Sequence, residues 1–343
     1  MNKINFAVIG CGHIGKRHAE MITQHEEANL VALCDVKPKS DLNINFISAA
    51  FFHDVDALFS SNLSIDVINV CTPNGLHAAH ALKAISAGCH VVIEKPMALK
   101  VADCNEIILL AEKQQKKVFC VMQNRFSPPS RWLKEIVASG ILGKIYMVQV
   151  NCFWNRDERY YNGNTWHGSN KLDGGTLFTQ FSHFIDTMVW LFGDIENIRG
   201  EFADFNHAAL TDFEDSGMVT FNFRNGGIGS INYSTAVFDT NFESSIKIIA
   251  ESGSIEVGGQ YMNEVKHCNI KGYEKPELAT TAAPNNYGPY IGSAANHHFI
   301  IANIVDVLQR NTSIATTAQE GKLVVEVIEK IYATRPTSLL KNK

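Results

Sequence analysis

The residues best suited to chemistry in this sequence stand at four places. Gly10-Cys11-Gly12-His13-Ile14-Gly15 is a G-x-G-x-x-G run directly after the apolar stretch Ile4–Ile9. In such a run the first glycine permits a tight turn, the second lets the backbone approach a pyrophosphate, and the third lets helix and strand pack closely. The helix that opens there offers backbone N–H groups and a positive dipole end to phosphate oxygens, with His13 and Ile14 in the phosphate-facing turn. Asp35 ends the second apolar run, at the distance expected of an acid that accepts from the adenosine ribose hydroxyls. Its charge would repel a 2′-phosphate, which favours NAD over NADP; Lys37 and Lys39 weaken that preference without reversing it. Cys71-Thr72-Pro73-Asn74 ends a third run and Glu94-Lys95-Pro96 a fourth. In open α/β sheets ligands sit beyond the carboxyl ends of the strands, so both clusters are expected beside the nicotinamide half of a dinucleotide. A solvated surface lysine is the alternative for Lys95, but a proline at 96 fixes a turn that would aim it in one direction.

The elements that must position these residues can be read from periodicity. Strand patterns at Ile4–Ile9, Leu30–Cys34, Asp66–Cys71, Val91–Ile93 and Val118–Met122 alternate with helical patterns at Ile14–His25, Leu76–Ala87 and Asp103–Lys113. Near-continuous apolar strands separated by helices of that length indicate a parallel sheet covered on both faces, and right-handed crossovers make it doubly wound. Beyond residue 122 the character changes. A long strand pattern, Ile145–Trp154, is followed by one apolar helix, Thr176–Phe192. Strands follow at Asn197–Phe205, Ser216–Phe223, Ile228–Val237, Ser244–Ala250 and Ser254–Val257, with hairpin turns at Arg224–Gly227 and Glu251–Ser254. Two helices close the chain, His297–Gln309 and Thr317–Ala333, the second opened by a Thr317-to-Glu320 capping box. The expected fold is therefore α/β followed by α+β. Residues 1–122 form a Rossmann domain, and 123–343 a substrate-binding and oligomerisation domain on a mostly antiparallel open sheet. A C-terminal or linker helix is expected to pack on the first domain.

Composition narrows the class. The chain has 343 residues, 45% hydrophobic and 19% charged, with a net charge of −5. That balance excludes wholesale disorder and argues against a nucleic-acid partner, which would call for a strongly basic surface. No apolar stretch approaches the roughly 20 residues of a membrane-spanning helix, and the N-terminal apolar run is too short for a signal peptide. A cytoplasmic protein with no membrane partner is expected. The eight cysteines include no C-x-x-C pair, so neither a metal centre nor a dithiol redox site is expected.

Taken together the motifs resemble the glucose–fructose oxidoreductase / inositol dehydrogenase / MocA family across essentially the whole chain. The resemblance rests on the glycine fingerprint, on Thr72-Pro73-Asn74-Gly75-Leu76-His77, on Glu94-Lys95-Pro96, and on Asp173-Gly174-Gly175-Thr176 leading to Thr179-Gln180-Phe181-Ser182-His183 and Asp186. It implies an NAD-dependent oxidoreductase acting on a secondary alcohol of a sugar or cyclitol, with hydride transfer at nicotinamide C4. It assigns the alcohol proton to His183, whose ordinary pKa near ~6.5 suits a base at neutral pH. Lys95 would bind the same oxygen, stabilise alkoxide character, and depress the histidine pKa. By itself His183, among Phe181, Phe184 and Ile185, would read as a core histidine.

One position departs from the family pattern. Many members carry Asp, and some Asn, where this chain has Thr179. On a continuous helix Thr179 and His183 share a face, but a threonine carries no charge, so a Lys–His pair replaces a Lys–Asp–His triad in the expected mechanism. Asp186 stands where it could orient the His183 ring. Asn124 and Arg125 follow the last strand pattern of the first half and are expected near the substrate. The Trp166-His167 pair stands where the family reaches the nicotinamide end of the cofactor. Arg156 is a candidate partner for carboxylate or pyrophosphate oxygens, which points to an acidic or nucleotide-linked sugar.

The segments Asn232–Ala236 and Glu243–Gly253 look most like the branch that oxidises a UDP-linked N-acetyl-hexosaminuronate at C3. A UDP-linked N-acetyl-hexosaminuronate 3-dehydrogenase is therefore the leading expectation. Alternatives are a free inositol or hexose dehydrogenase, an NAD-dependent glycosidase, and a non-catalytic cofactor-binding sensor. An open sheet face to spare, with the family resemblance, leads to the expectation of a homodimer or homotetramer.

Overall fold

The structure is a computed structural model that describes residues 3–44, 48–163, 166–288 and 290–336. From the N-terminus the chain forms β1 (Ile4–Ile9), α1 (His13–Gln24), β2 (Ala28–Cys34), β3 (Ala50–Phe52), α2 (Val55–Phe59), β4 (Val67–Val70), α3 (His77–Ser86), β5 (His90–Ile93), α4 (Val101–Lys113) and β6 (Val118–Cys120). The six strands make one parallel sheet in the order β3-β2-β1-β4-β5-β6. That order reverses direction between β1 and β4, the switch point where doubly wound sheets bind dinucleotides. Strands β4 and β6 are buried throughout, and β1 and β5 nearly so, as strands covered on both faces must be.

A second set of elements follows: α5 (Pro128–Ser139), β7 (Ile145–Phe153), α6 (Glu158–Tyr161), α7 (Thr176–Thr179) and α8 (Ser182–Phe192). The strands β8 (Ile195–Ala203), β9 (Ser216–Phe223), β10 (Ile228–Ser234), β11 (Glu243–Ala250), β12 (Gly253–Gly258) and β13 (Glu264–Ile270) then join β7 in a seven-stranded sheet. Its order is β13-β12-β11-β7-β10-β9-β8, antiparallel except for the β7–β10 pair. Alternation along its strands sends Val148, Val150, Ile231, Ile246 and Ile248 to the core. It leaves Met147, Ile228 and Ile249 exposed side by side on the other face. A short hairpin, β14 (Pro284–Asn286) with β15 (Ile291–Ala294), precedes α9 (His297–Arg310) and α10 (Ala318–Tyr332).

The chain divides into two compact units, residues 1–122 with 297–325, and 123–296 with 326–343. Residues 297–325 thus belong with the parallel sheet, α9 packing on α1 and Phe119 bridging to Thr317. The Thr317 capping box forms as read: Thr317 and Glu320 exchange backbone-to-side-chain hydrogen bonds of 2.9 and 3.2 Å.

Residues 176–192 are two helices, not one. Phe181, at φ −117° and ψ 6°, interrupts the run between α7 and α8. Its ring is fully buried between Trp154, Phe184 and Tyr233, and the chain leaves helical geometry where that ring is seated. Thr179 and His183 therefore do not lie one turn apart on a common helix face. Sequence periodicity also passed over β3, α2, α5 and β13.

Candidate active site

The candidate residues fall into two groups, one in each unit. In the first, three glycines at the end of β1 answer to different constraints. Gly10 has φ +86°, and a Cβ on it would lie 2.6 Å from the Cys71 carbonyl oxygen. A Cβ on Gly15 would lie 1.7 Å from the Gly10 carbonyl oxygen, so close packing of α1 on the loop excludes any side chain. A Cβ on Gly12 would meet nothing within 4 Å. Gly12 is exposed and caps α1 without a side-chain bond, and no acidic residue stands in the first turn. A helix start left open and uncountered in this way is suited to a diphosphate. Asp35 accepts from the Cys11 N–H at 2.7 Å and from the Lys37 N–H at 2.9 Å. It thereby ties the loop to the end of β2 while its carboxylate oxygens keep acceptor capacity for ribose hydroxyls. The loop and Asp35 fit a dinucleotide.

Beyond β4 and β5 the two polar strand ends are joined by His77. One ring nitrogen lies 2.7 Å from the Pro96 carbonyl and the other 2.8 Å from that of Thr72. Burial holds the His77 imidazole below its ordinary pKa against the pull of those two carbonyls. Thr72 pairs with His80 at 3.1 Å, and Asn74 is buried. Glu94 is buried and Lys95 partly so, and the Lys95 N–H donates to Glu94 Oε2 at 3.2 Å. The burial of Cys11, Cys34 and Cys71 raises their thiol pKa values, to about 12 for the first two, so these cysteines are inert packing groups here. None of the eight cysteines forms a disulfide.

In the second unit His183 is buried on the first turn of α8, with the Gln123 amide nitrogen 3.2 Å from its Nε2. Gln123 Oε1 is buried and has no partner among the described residues. Arg125 and Asp186 form a buried two-pronged pair, at 2.8 Å from Nε and 2.6 Å from Nη2, with the guanidinium 5.0 Å over the Trp190 ring. The Asp186 carboxylate is thus held by Arg125. Asn124 accepts from Ser293 at 2.5 Å. The Thr179 hydroxyl donates to the carboxylate of Asp173, whose other oxygen accepts from the Gly168 N–H at 2.8 Å.

Arg156 is fully buried. It donates to Gln180 at 2.7 Å, to the Asn155 carbonyl at 2.6 Å, to Asn241 and to the Ile291 carbonyl, and lies over Trp154, Tyr160 and Tyr290. Gln180 passes the contact on to the Tyr160 hydroxyl at 2.8 Å, and His167 stacks on the Tyr160 ring at 4.3 Å. Trp166 packs edge-on against His167. The sequence assigns no role to Asp173, Gln123 or Gln180, each next to or within a motif but carrying no pattern of its own. The structure also groups His18, Glu94 and His297, and separately Asp204, His207 and Asp215, as clusters of ligand-type atoms. In the second cluster Asp215 is filled by the N–H groups of Phe205 and Asn206 and by His207, which leaves it a loop-fastening network.

A parallel sheet in dinucleotide order, an open glycine loop at its switch point and an acid at the end of β2 define a dinucleotide-binding Rossmann fold. Residues 4–122 match the family model described as oxidoreductase family, NAD-binding Rossmann fold, and residues 130–256 match the GFO/IDH/MocA C-terminal domain. The chain belongs to the GFO/IDH/MocA family. It is similar to the WlbA dehydrogenase of Bordetella pertussis, solved in complex with NADH and UDP-GlcNAcA, at 30% identity and a TM-score of 0.86, over 97% of this chain and 96% of that one. It is 28% identical to the D-glucoside 3-dehydrogenase of Escherichia coli over 243 residues, 66% of this chain and 68% of the relative. It is 26% identical to the myo-inositol 2-dehydrogenase of Thermotoga maritima over 271 residues, 74% of each. The protein is an NAD-dependent oxidoreductase of the sugar-dehydrogenase type. Among the described residues no helix is long and apolar enough to cross a membrane.

Proposed function

We propose that this protein oxidises the C3 hydroxyl of a UDP-linked N-acetyl-hexosaminuronate with NAD⁺. The observation that carries the reading is the likeness, over nearly the whole chain, to a dehydrogenase solved with NADH and UDP-GlcNAcA. Gly10, Gly12, Gly15 and the start of α1 hold the diphosphate, Asp35 the adenosine ribose, and Thr72, Pro73, Asn74 and the Glu94–Lys95 turn the nicotinamide half. Bound NAD⁺ supplies the hydride acceptor. Lys95 donates to the alcohol oxygen and stabilises its negative charge as the C–H bond breaks. His183 takes the hydroxyl proton. Turned so that its buried Oε1 accepts from His183 Nε2–H, the Gln123 amide leaves Nδ1 to take the hydroxyl proton, and the same hydrogen bond holds the ring before and after transfer. Arg125 with Asp186, Asn124, and the Arg156–Gln180–Tyr160 chain support the substrate side, and Trp166 with His167 would reach the nicotinamide end of the cofactor. The exposed row of Met147, Ile228 and Ile249 is the face we assign to self-association in a homodimer or homotetramer.

The test is NADH formation on mixing NAD⁺ and protein with UDP-linked N-acetyl-hexosaminuronates, UDP-linked N-acetyl sugars, free uronates, free hexoses, glycosides and inositols. A rise with the UDP-linked uronate above all others supports the reading. A preference for a free glycoside or inositol overturns the substrate, and glycoside cleavage without net NADH overturns the reaction.

A further inference from the structure

Four buried polar side chains from four elements meet behind the glycine loop. They are His18 on α1, Asn69 on β4, Glu94 at the end of β5 and His297, the first residue of α9. Glu94 Oε1 lies 2.8 Å from His18 Nε2 and 3.6 Å from His297 Nε2. The other Glu94 oxygen accepts the Lys95 N–H. His18 Nδ1 lies 2.7 Å from the Asn69 amide, and the two imidazoles meet edge to face at 5.5 Å. Neither nitrogen of His297 has a hydrogen-bond partner among the described residues. Cys71, His77, Lys95 and Arg17 are the other titratable groups whose charges bear on the cluster.

A carboxylate withdrawn from water costs several kcal/mol unless it is paired and hydrogen-bonded. No lysine or arginine pairs with Glu94 among the described residues; the two histidines face it instead. Burial pushes the Glu94 carboxyl up, and the His18 hydrogen bond with the facing His297 ring outweighs it, so the carboxyl sits well below its ordinary pKa. The distances separate a proton from a metal. Two ligand atoms on one tetrahedral zinc stand about 3.3–3.5 Å apart, given bonds of about 2.0–2.2 Å. The His18–Glu94 distance of 2.8 Å is that of a hydrogen bond.

We propose that His18 and His297 are positioning residues for Lys95, acting through Glu94. His18 fixes the Glu94 side chain from one side and His297 limits it from the other. The fixed carboxylate in turn holds the first peptide of the turn that presents Lys95. Because α1 carries both Gly12 and His18, the helix that receives the diphosphate also sets the lysine. The inference rests on the reading of Lys95 as the alcohol-binding group.

The test compares wild type with His18→Leu, His297→Leu and His18→Gln in the full chain. It measures kcat and its pH profile, NADH affinity by fluorescence, and amide hydrogen exchange over residues 90–98. The expected result for His18→Leu is faster exchange in that segment, a fall in kcat of about 10- to 100-fold, as misplacement of a reacting group by about 1 Å produces, and a displaced pH profile. NADH affinity should stay within about threefold, as for an effect confined to the chemical step. His297→Leu should follow in the same direction with a smaller effect, and His18→Gln, which keeps a donor, should recover most of the loss. If His18→Leu does not fold, the other two variants carry the test. Wild-type kcat and exchange in the leucine variants would overturn the proposal, as would stoichiometric zinc whose removal abolishes activity. Lys95→Ala is assayed alongside. Its full activity would overturn the Lys95 reading, whereas an inactive Lys95→Ala beside fully active leucine variants would overturn only the positioning role.

Discussion

Gly12 separates what the cofactor demands of the loop from what the fold demands. Its backbone, at φ −66° and ψ −162°, is open to any residue, and a Cβ there meets nothing within 4 Å. Folding asks for glycine at this exposed position only weakly, as a helix N-cap. The stronger reason is the close approach of a ligand. Gly12→Ala should cost no more than about 1 kcal/mol of stability, the scale of a helix N-cap change. Its effect on NADH should be larger. A methyl group in the diphosphate's path displaces it from the backbone N–H groups, and each hydrogen bond to a charged group is worth about 1.5–3 kcal/mol. Loss of one such bond weakens binding about 10- to 150-fold. Thermal melting reads both terms at once. NADH at about 100 times the wild-type Kd stabilises wild type by about 2.7 kcal/mol, but a variant with 100-fold weaker affinity by only about 0.4 kcal/mol. The ligand-free melts should coincide within a few degrees while the NADH-induced shift nearly vanishes. Gly15→Ala is the control with the opposite signature. Its methyl would sit 1.7 Å from a backbone oxygen, so its ligand-free melt should fall by more than that of Gly12→Ala. A Gly12→Ala protein that binds NADH within about threefold of wild type, or melts as low as Gly15→Ala, would show that no ligand imposes glycine at this position.

Three further outcomes are expected. Asp35→Ser removes the charge that would oppose a 2′-phosphate and the acceptor for the Cys11 and Lys37 N–H groups. NAD⁺ affinity should fall and the NAD⁺/NADP⁺ preference shrink at least about 10-fold, and an unchanged preference in paired titrations would remove Asp35 from the ribose role. His183→Ala and Lys95→Ala should each lower kcat by at least about 100-fold, the lower bound for a positioned acid–base group, with NADH still bound; full activity in either would sink its assignment. His207 is buried and faces Asp215 at 3.0 Å and the Arg156 carbonyl; burial pulls its pKa down, but these two acceptors raise it above the ordinary value. Its contribution to stability is fully present below about pH 6.5 and is lost as pH rises through the folded-state value. The difference in melting temperature between wild type and His207→Leu should therefore narrow on the alkaline side, and a difference that does not vary with pH would mean the ring is never charged.

The local signals in the sequence carried the first unit. A glycine run after a strand, an acid ending the next strand, and polar strand ends at 71–74 and 94–96 each have a short-range cause, and each lies where that cause requires. Long-range convergence had no such signature. His18 is legible as an inward position of α1, but nothing in residues 18, 69, 94 and 297 foretells that they meet. That meeting depends on residues 297–325 returning to the parallel sheet after residues 123–296 have entered the second unit. Three-residue strands such as β3 are too short to show a period.

The break between α7 and α8 shows where periodicity misleads. The run 176–192 is apolar enough to read as one helix, and on one helix Thr179 would stand beside His183 as an uncharged replacement for the family's acid. The seating of Phe181 in the aromatic core divides the run, and the Thr179 hydroxyl is turned to the buried carboxylate of Asp173. A carboxylate therefore still backs this position, supplied from the residue before Gly174 and reached through a hydroxyl. Thr179 can then offer its lone pairs to a ligand only as a polarised acceptor. Asp173, fixed by the Gly168 N–H, keeps the charge one hydrogen bond behind. An acid thus stands one hydrogen bond behind Thr179, and no scan of residue 179 alone could have found it.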